Sequence, residues 1–136
     1  MSKITLYKAK PADKGFWENF GNTFPEGNAE QKLIIAMKGE KIGIMHCTLL
    51  WNELPFLNHL IVSKELRGNG YGENALLLWE NRLRIEGFRT ALLSTRAAES
   101  AQYFFRKLGY TDCGALDMSG FTKPQADAEL FLYKNL

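Results

Sequence analysis

One stretch limits the possible folds more than any other: Leu60-Ile61-Val62-Ser63-Lys64-Glu65-Leu66-Arg67-Gly68-Asn69-Gly70-Tyr71-Gly72. An apolar strand runs into a basic, glycine-rich turn, and an amphipathic helix starts straight after it. A turn of this kind aims backbone N–H groups and a helix N-terminus at one point. Proteins hold phosphate that way with little help from side chains.

Three phosphate motifs compete for the turn. A P-loop ends in Gly-Lys-Ser/Thr, and the chain has no such triplet. A dinucleotide fingerprint needs a third glycine where Glu73 stands. It also opens a parallel sheet, whereas this turn follows an antiparallel hairpin. The third is an acetyl-CoA turn, and the rest of the chain bears on it.

Ile4-Thr5-Leu6-Tyr7 alternates as a first strand, and Pro11 opens a short helical stretch with Phe16, Trp17 and Phe20 on one face. Gly21 through Asn28 reads as a loop. Leu33 to Met37 is a buried strand, Lys38-Gly39-Glu40-Lys41 a hairpin turn, and Ile42 to Trp51 the antiparallel return. Asn52-Glu53-Leu54-Pro55 is the next turn, and Phe56 to Val62 is the strand that feeds the glycines. A helix follows from Gly72 to Glu86, with Ala75, Leu76, Trp79 and Leu83 as its inner stripe. Thr90 to Thr95 is then a strand parallel to Phe56–Val62, reached by a right-handed crossover. The last helix spans Glu99 to Leu108, with Ala101, Phe104, Phe105 and Leu108 on one face and Gly109 at its end. Tyr110 to Asp117 and Ala128 to Tyr133 are the last two strands. Phe131-Leu132-Tyr133 is expected at an edge.

This order predicts an α/β fold of mixed, α+β-like character: one mixed sheet with helices on its faces. The 136 residues suit a single domain, 1–136, with a proper core. A net charge of +2 gives no reason to expect nucleic acid or an anionic membrane, and no apolar run reaches spanning length. The N-terminus is not a signal peptide. Of the two cysteines, Cys47 lies in an apolar run and Cys113 has no motif spacing. The expectation is a reduced, cytoplasmic protein. No His/Cys/Asp/Glu cluster has metal spacing.

Arg67-x-x-Gly70-x-Gly72 resembles the pyrophosphate-binding signature of the GNAT superfamily of N-acetyltransferases. Leu60-x-Val62 before it resembles the family's fourth strand. Ala101-x-x-Phe104-Phe105-x-x-Leu108-Gly109-Tyr110 resembles its second motif. The resemblance implies a central mixed, mostly antiparallel sheet flanked by helices, with strands four and five parallel and splayed apart. Pantetheine would lie in that gap like an added strand, bonded by the main chain of Leu60 and Val62 beside Ile61. The turn residues Arg67, Gly68, Asn69, Gly70, Tyr71 and Gly72 would hold the pyrophosphate. Gly70 and Gly72 would allow close backbone approach, and Arg67 would add charge. Ala101, Phe104 and Phe105 would line the pantetheine or acetyl end. Arg106 or Lys107 would reach the nucleotide's 3′-phosphate. As surface charges and core residues, these side chains would look the same in sequence.

The implied reaction is direct attack of a primary amine on the thioester of acetyl-CoA, the cosubstrate, with strand-four N–H groups polarising the carbonyl. The amine must lose a proton from a state with pKa about 10.4. Candidates for handling that proton are His59, Glu53 and, by holding a water, Asn58. His59 also reads as a half-buried structural histidine, and the role of His46 stays open. Alternation puts Leu57, His59 and Ile61 on one strand face and Asn58, Leu60 and Val62 on the other. Two positions depart from the family. Phe105 stands where many members carry a tyrosine acid, and Phe56 where many carry a glutamate. Tyr103 reads as surface and Tyr110 as core. A thiol of pKa about 8.5 leaves tolerably without an acid.

The segment Lys8 to Gln31 has room for one helix and a loop, which implies an open acceptor cleft. Phe16, Trp17, Phe20 and Phe24 read as cover for the sheet, and Ser119 to Gln125 could close the other side. The rival readings are a catalytically weak acyl-CoA-binding or sensing module and an interaction subunit, with a homodimer possible through the apolar edge.

Overall fold

The computed structural model describes residues 3–27, 29–118 and 128–136. The expected closing loop, Ser119 to Gln125, lies outside the described residues. In chain order the elements are β1 (Ile4–Lys8), a 3-10 turn (Pro11–Asp13) running into α1 (Lys14–Glu18), β2 (Glu30–Met37), β3 (Glu40–Leu50) and β4 (Leu54–Val62). A second 3-10 turn (Lys64–Leu66) leads to α2 (Tyr71–Ile85), then β5 (Thr90–Arg96), α3 (Ala101–Lys107), β6 (Thr111–Asp117) and β7 (Ala128–Asn135).

The seven strands form one sheet in the order β1-β2-β3-β4-β5-β7-β6. Every neighbouring pair is antiparallel except β4 and β5, which α2 joins by crossover. The mixed sheet read from the element order, mostly antiparallel as the resemblance implies, is the one observed.

Several details differ from the reading. β7 sits between β5 and β6, so Phe131-Leu132-Tyr133 is interior strand and not an edge, with Leu132 fully buried. The edge is β6, whose residues are all exposed. Its sequence Thr-Asp-Cys-Gly-Ala-Leu-Asp is the polar kind that edges tolerate. The first hairpin turns on Lys38 and Gly39 alone, both at positive φ, and β3 starts at Glu40. The next turn sits at Trp51 and Asn52, at φ 53° and 59°, so Pro55 falls inside β4. α3 begins two residues later than expected. Its side chains Ala101, Phe104, Phe105 and Leu108 are only half-buried, and its buried residue is Gln102. The Gln102 amide donates to the Ala97 and Glu99 carbonyls, which fixes the helix start.

Two cores lie on opposite sheet faces. The larger takes the α2 stripe Ala75, Leu76, Trp79 and Leu83 against Leu33, Met45, Cys47, Leu57 and Leu93. A fully buried side chain of this size contributes about 2–3 kcal/mol. Cys47 belongs to this core, as expected, and burial pushes its thiol up to about 12. The smaller core packs Trp17 of α1 on Ile34 and Ile44. Trp17 and its aromatic neighbours therefore cover the sheet. Asp13 anchors this layer through an ion pair with Lys41 at 2.5 Å and a bond from the Lys10 N–H at 2.8 Å.

α2 also buries Glu80 completely. The carboxylate accepts from the Tyr110 hydroxyl at 2.8 Å and pairs with Lys134 at 2.8 Å. These bonds tie α2 to the start of β6 and to β7. Burial, and after it the Glu80 charge, push the Tyr110 pKa upward.

Candidate active site

β4 and β5 pair only at Phe56–Leu92 and Leu57–Leu93. Beyond Leu57 the two strands part, while β4 stays bonded to β3 as far as Val62. The break coincides with a bulge. His46 pairs with His59 and Cys47 with Leu57, which leaves Asn58 as the extra residue on β4. A bulge lets two successive side chains share one face. Leu57 therefore joins Leu60 and Val62 in the large core. Asn58 bonds Thr48, and His59 stacks on His46 across the sheet. The simple alternation expected from the sequence fails here, because Leu57 and Asn58 have exchanged faces relative to it.

After Val62 the chain enters the turn. Gly68 and Gly70 take φ 83° and 81°, values that a side chain makes costly. Gly70 is the N-cap of α2, whose first intrahelical bond runs from the Asn74 N–H to the Gly70 carbonyl. The N–H groups of Tyr71, Gly72 and Glu73 thus have no acceptor within the helix. Gly72 needs no special φ, and a Cβ there would meet no protein atom within 4 Å. The Arg67 guanidinium donates to the Val62 carbonyl at 2.8 Å and braces the turn against the strand end. Asn69 bonds back to the Leu66 carbonyl at 3.0 Å and so shapes the turn from within.

A cleft of about 660 Å³ opens between these parts. Its wall contains Leu60, Ile61, Val62, Arg67, Gly68, Gly70, Tyr71, Gly72, Ala101, Phe104 and Phe105. Of the residues singled out for the cofactor, Asn69, Arg106 and Lys107 are not in that wall. Lys107 is exposed on the last turn of α3, and Arg106 is held by both oxygens of Asp112 at 2.8 and 2.9 Å. Leu66 and Glu73 line the cleft as well. The sequence marks Glu73 only as the residue that breaks a dinucleotide fingerprint and not as a site residue, because an acidic residue in a first helical turn reads as ordinary dipole compensation.

The cleft continues into the gap between β4 and β5, a space of about 320 Å³. Leu60, Ile61, Ala101 and Phe105 line both. Asn58, His59, Ser94 and Thr95 face this gap too. A third cavity, of about 570 Å³, lies toward α1. It is walled by Lys14, Glu18, Phe24, Glu26, His46 and His59 among others. His59 thus borders both the gap and the α1-side cavity. Crowding of its ring, then the nearby His46, lower its pKa, although the residue is exposed at the mouth.

Glu53 is not brought into this group. It sits exposed in the β3–β4 turn, roughly 16 Å along the strand from Asn58 at about 3.3 Å per residue. Phe105 packs edge-on against Phe104 and Tyr110, at 5.2 and 5.9 Å between centroids. The Tyr110 hydroxyl donates its hydrogen bond to Glu80, and Tyr103 is exposed, so neither brings a hydroxyl to the cleft. Among the described residues no cluster could hold a metal ion, and no helix is long and apolar enough to cross a membrane.

Residues 29–112 match the acetyltransferase (GNAT) domain family. The chain belongs to the GNAT acetyltransferase family. No curated protein sequence matches it. Solved structures similar to it include a spermidine/spermine N-acetyltransferase, SpeG, from Vibrio cholerae, determined in complex with manganese ions. That likeness has a TM-score of 0.85 at 14% identity and covers 98% of this chain and 92% of the other. The ribosomal-protein-S18-alanine N-acetyltransferase from Escherichia coli has a TM-score of 0.80 at 14% identity, covering 98% and 94%. A GNAT family acetyltransferase from Elizabethkingia anophelis with acetyl-CoA bound has a TM-score of 0.77 at 13% identity, covering 98% of each chain. At these identities the GNAT fold is what the likenesses establish.

Proposed function

We propose that this GNAT protein transfers an acetyl group from acetyl-CoA to a primary amine of a small molecule, peptide or protein, by direct attack on the thioester. The observation that carries the reading is the early end of β4–β5 pairing beside the glycine turn. It leaves the Asn58–Val62 backbone edge facing a gap that runs into a cleft with free helix N–H groups. In this reading the Leu60 and Val62 main chain bonds pantetheine, and Arg67 to Gly72 hold the pyrophosphate. Ala101, Phe104 and Phe105 cover the thioester arm. N–H groups near the Asn58 bulge polarise the thioester carbonyl. The amine enters from the α1-side cavity, with His59 and Asn58 at the junction. Both cysteines are free, which suits a reducing compartment such as the cytoplasm.

A second reading, an acyl-CoA-binding module of weak activity, is favoured by one feature. The tyrosine common in the family is Phe105 here, and Tyr110 is committed to Glu80. Calorimetric titration with acetyl-CoA, paired with a thiol-release assay across an amine panel, tests both. Binding with turnover of at least one amine supports the enzyme, and tight binding with no turnover supports the module. Absence of binding would remove both.

A further inference from the structure

A hydrogen-bonded train of side chains crosses β2, β3 and β4 beside the gap. Glu30 on β2 accepts from His46 Nε2 at 2.5 Å and from Thr48 Oγ1 at 2.8 Å, both on β3. Asn58 Nδ2, at the bulge, donates to that Thr48 oxygen at 2.6 Å. The donors all run toward one carboxylate. The His46 and Glu30 side chains keep 15% and 24% of their exposure, so the pair is sheltered yet reachable. With Nε2 engaged, Nδ1 is the ring nitrogen left with a free lone pair. His46 lines the α1-side cavity, and its ring stacks on that of His59 at 5.9 Å and 26°.

We propose that His46, held by Glu30, takes the proton from the incoming amine, and that the Glu30 contact fixes the transferred proton on His46 rather than on the stacked ring of His59. The proposal rests on the acetyltransferase reading above. Two imidazolium rings stacked this closely repel, so the pair accepts a second proton reluctantly. Among the described residues, only His46 has a carboxylate bonded to its ring. The other charged groups facing the cavity are Lys14 and Glu18 from α1 and Glu26 from the segment before β2. Lys32 of β2 sits instead over the Phe24 ring, at 4.3 Å. Glu30 is a positioning residue as well, since through Thr48 it also holds Asn58 at the bulge.

The ammonium nitrogen gives one proton to His46 Nδ1. Its freed lone pair forms the C–N bond at the thioester carbon while the C–S bond breaks. The second nitrogen proton ends on the departing thiolate as the CoA thiol, and His46 returns its proton to water. Atoms and charge balance without any further reactant.

The test combines histidine-selective NMR titration of the free protein with pH profiles of kcat/KM. The profiles use an amine panel that includes spermidine and an alanine-terminated peptide. On lowering the pH, the first proton appears on His46 in the wild type, and Glu30→Gln removes that order. His46→Gln lowers kcat/KM about 100-fold and abolishes the limb near neutrality. His59→Gln keeps the limb, and all three variants bind acetyl-CoA as the wild type does. A first proton on His59, or a limb lost only in His59→Gln, overturns the proposal. Should His46→Gln fail to fold, the wild-type and Glu30→Gln titrations still decide. If the wild type binds acetyl-CoA and acetylates no amine, the enzymatic reading fails, and the role of His46 as base fails with it. If it acetylates an amine and His46→Gln leaves the profile unchanged, the proposal alone fails.

Discussion

The cleft beside α2 and the cavity beside α1 are walled in different ways. The first is made largely of main chain: a bare strand edge, two glycines at positive φ, and N–H groups with no helical acceptor. Its side chains are mostly apolar, and Arg67 donates its Nε–H to the Val62 carbonyl to brace the turn. The second is lined largely by polar side chains, among them His46, His59, Lys14, Glu18 and Glu26, beside Phe24. A backbone site can recognise only what every ligand in the class shares. A side-chain site can be rebuilt one substitution at a time. The contrast explains how one scaffold can keep its donor while changing its acceptor.

Substitutions on the two sides should separate accordingly. The largest effect is expected behind the donor cleft, where Lys134→Met would strip the buried Glu80 of its close ion pair and leave it the longer one to Arg84 at 3.9 Å. Breaking such a pair costs about 3–5 kcal/mol. Thermal melting should show a large drop, and a shift of a degree or two would mean that Glu80 finds other partners.

Gly70→Val comes next. It forces a β-branched residue to φ 81° at the α2 N-cap and moves the N–H groups behind it. Backbone strain of about 2 kcal/mol corresponds to a loss of acetyl-CoA affinity of roughly 30-fold, with far-UV circular dichroism retained. Unchanged affinity would take the turn out of the site.

Arg67→Ala should weaken acetyl-CoA about tenfold, the value of one charge-assisted bond. Binding of unphosphorylated pantetheine should change less. Equal losses on both would mean that Arg67 acts only through its bond to Val62. The smallest effect is expected from Phe105→Tyr, which restores the hydroxyl common in the family. If thiolate departure needs no acid, kcat changes less than about threefold. A rise of tenfold or more would show that the missing acid limits turnover.

The donor side was the more legible one for a physical reason. Its signals are local: glycines at fixed spacing, a strand before them and a helical stripe after them. The α2 stripe came out as expected, but Glu80 did not. In sequence a glutamate within an apolar stripe looks like a solvated charge, and its partners Tyr110 and Lys134 are remote. The acceptor side depends on register. Counting outward from the Lys38–Gly39 turn puts Glu30 opposite Cys47, whereas a bulge at Ile42 shifts it to face Thr48. The bulge at Asn58 likewise reverses the expected faces of Leu57 and Asn58. Bulges leave little trace in composition or periodicity, so the Glu30–His46 pair stayed hidden. The placement of β7 inside the sheet was missed because chain order says nothing of which neighbour a returning strand selects.

The short β4–β5 pairing has a kinetic consequence. A sheet opened at one place acts as a partition with a single window. In the proposed reaction the donor approaches from the cleft beside α2 and the amine from the α1-side cavity, so neither obstructs the other's arrival or departure. A catalyst laid out in this way forms a ternary complex. Its double-reciprocal plots intersect where those of a two-stroke, covalent mechanism would run parallel. The acetylated product can also leave while the spent carrier is still in place.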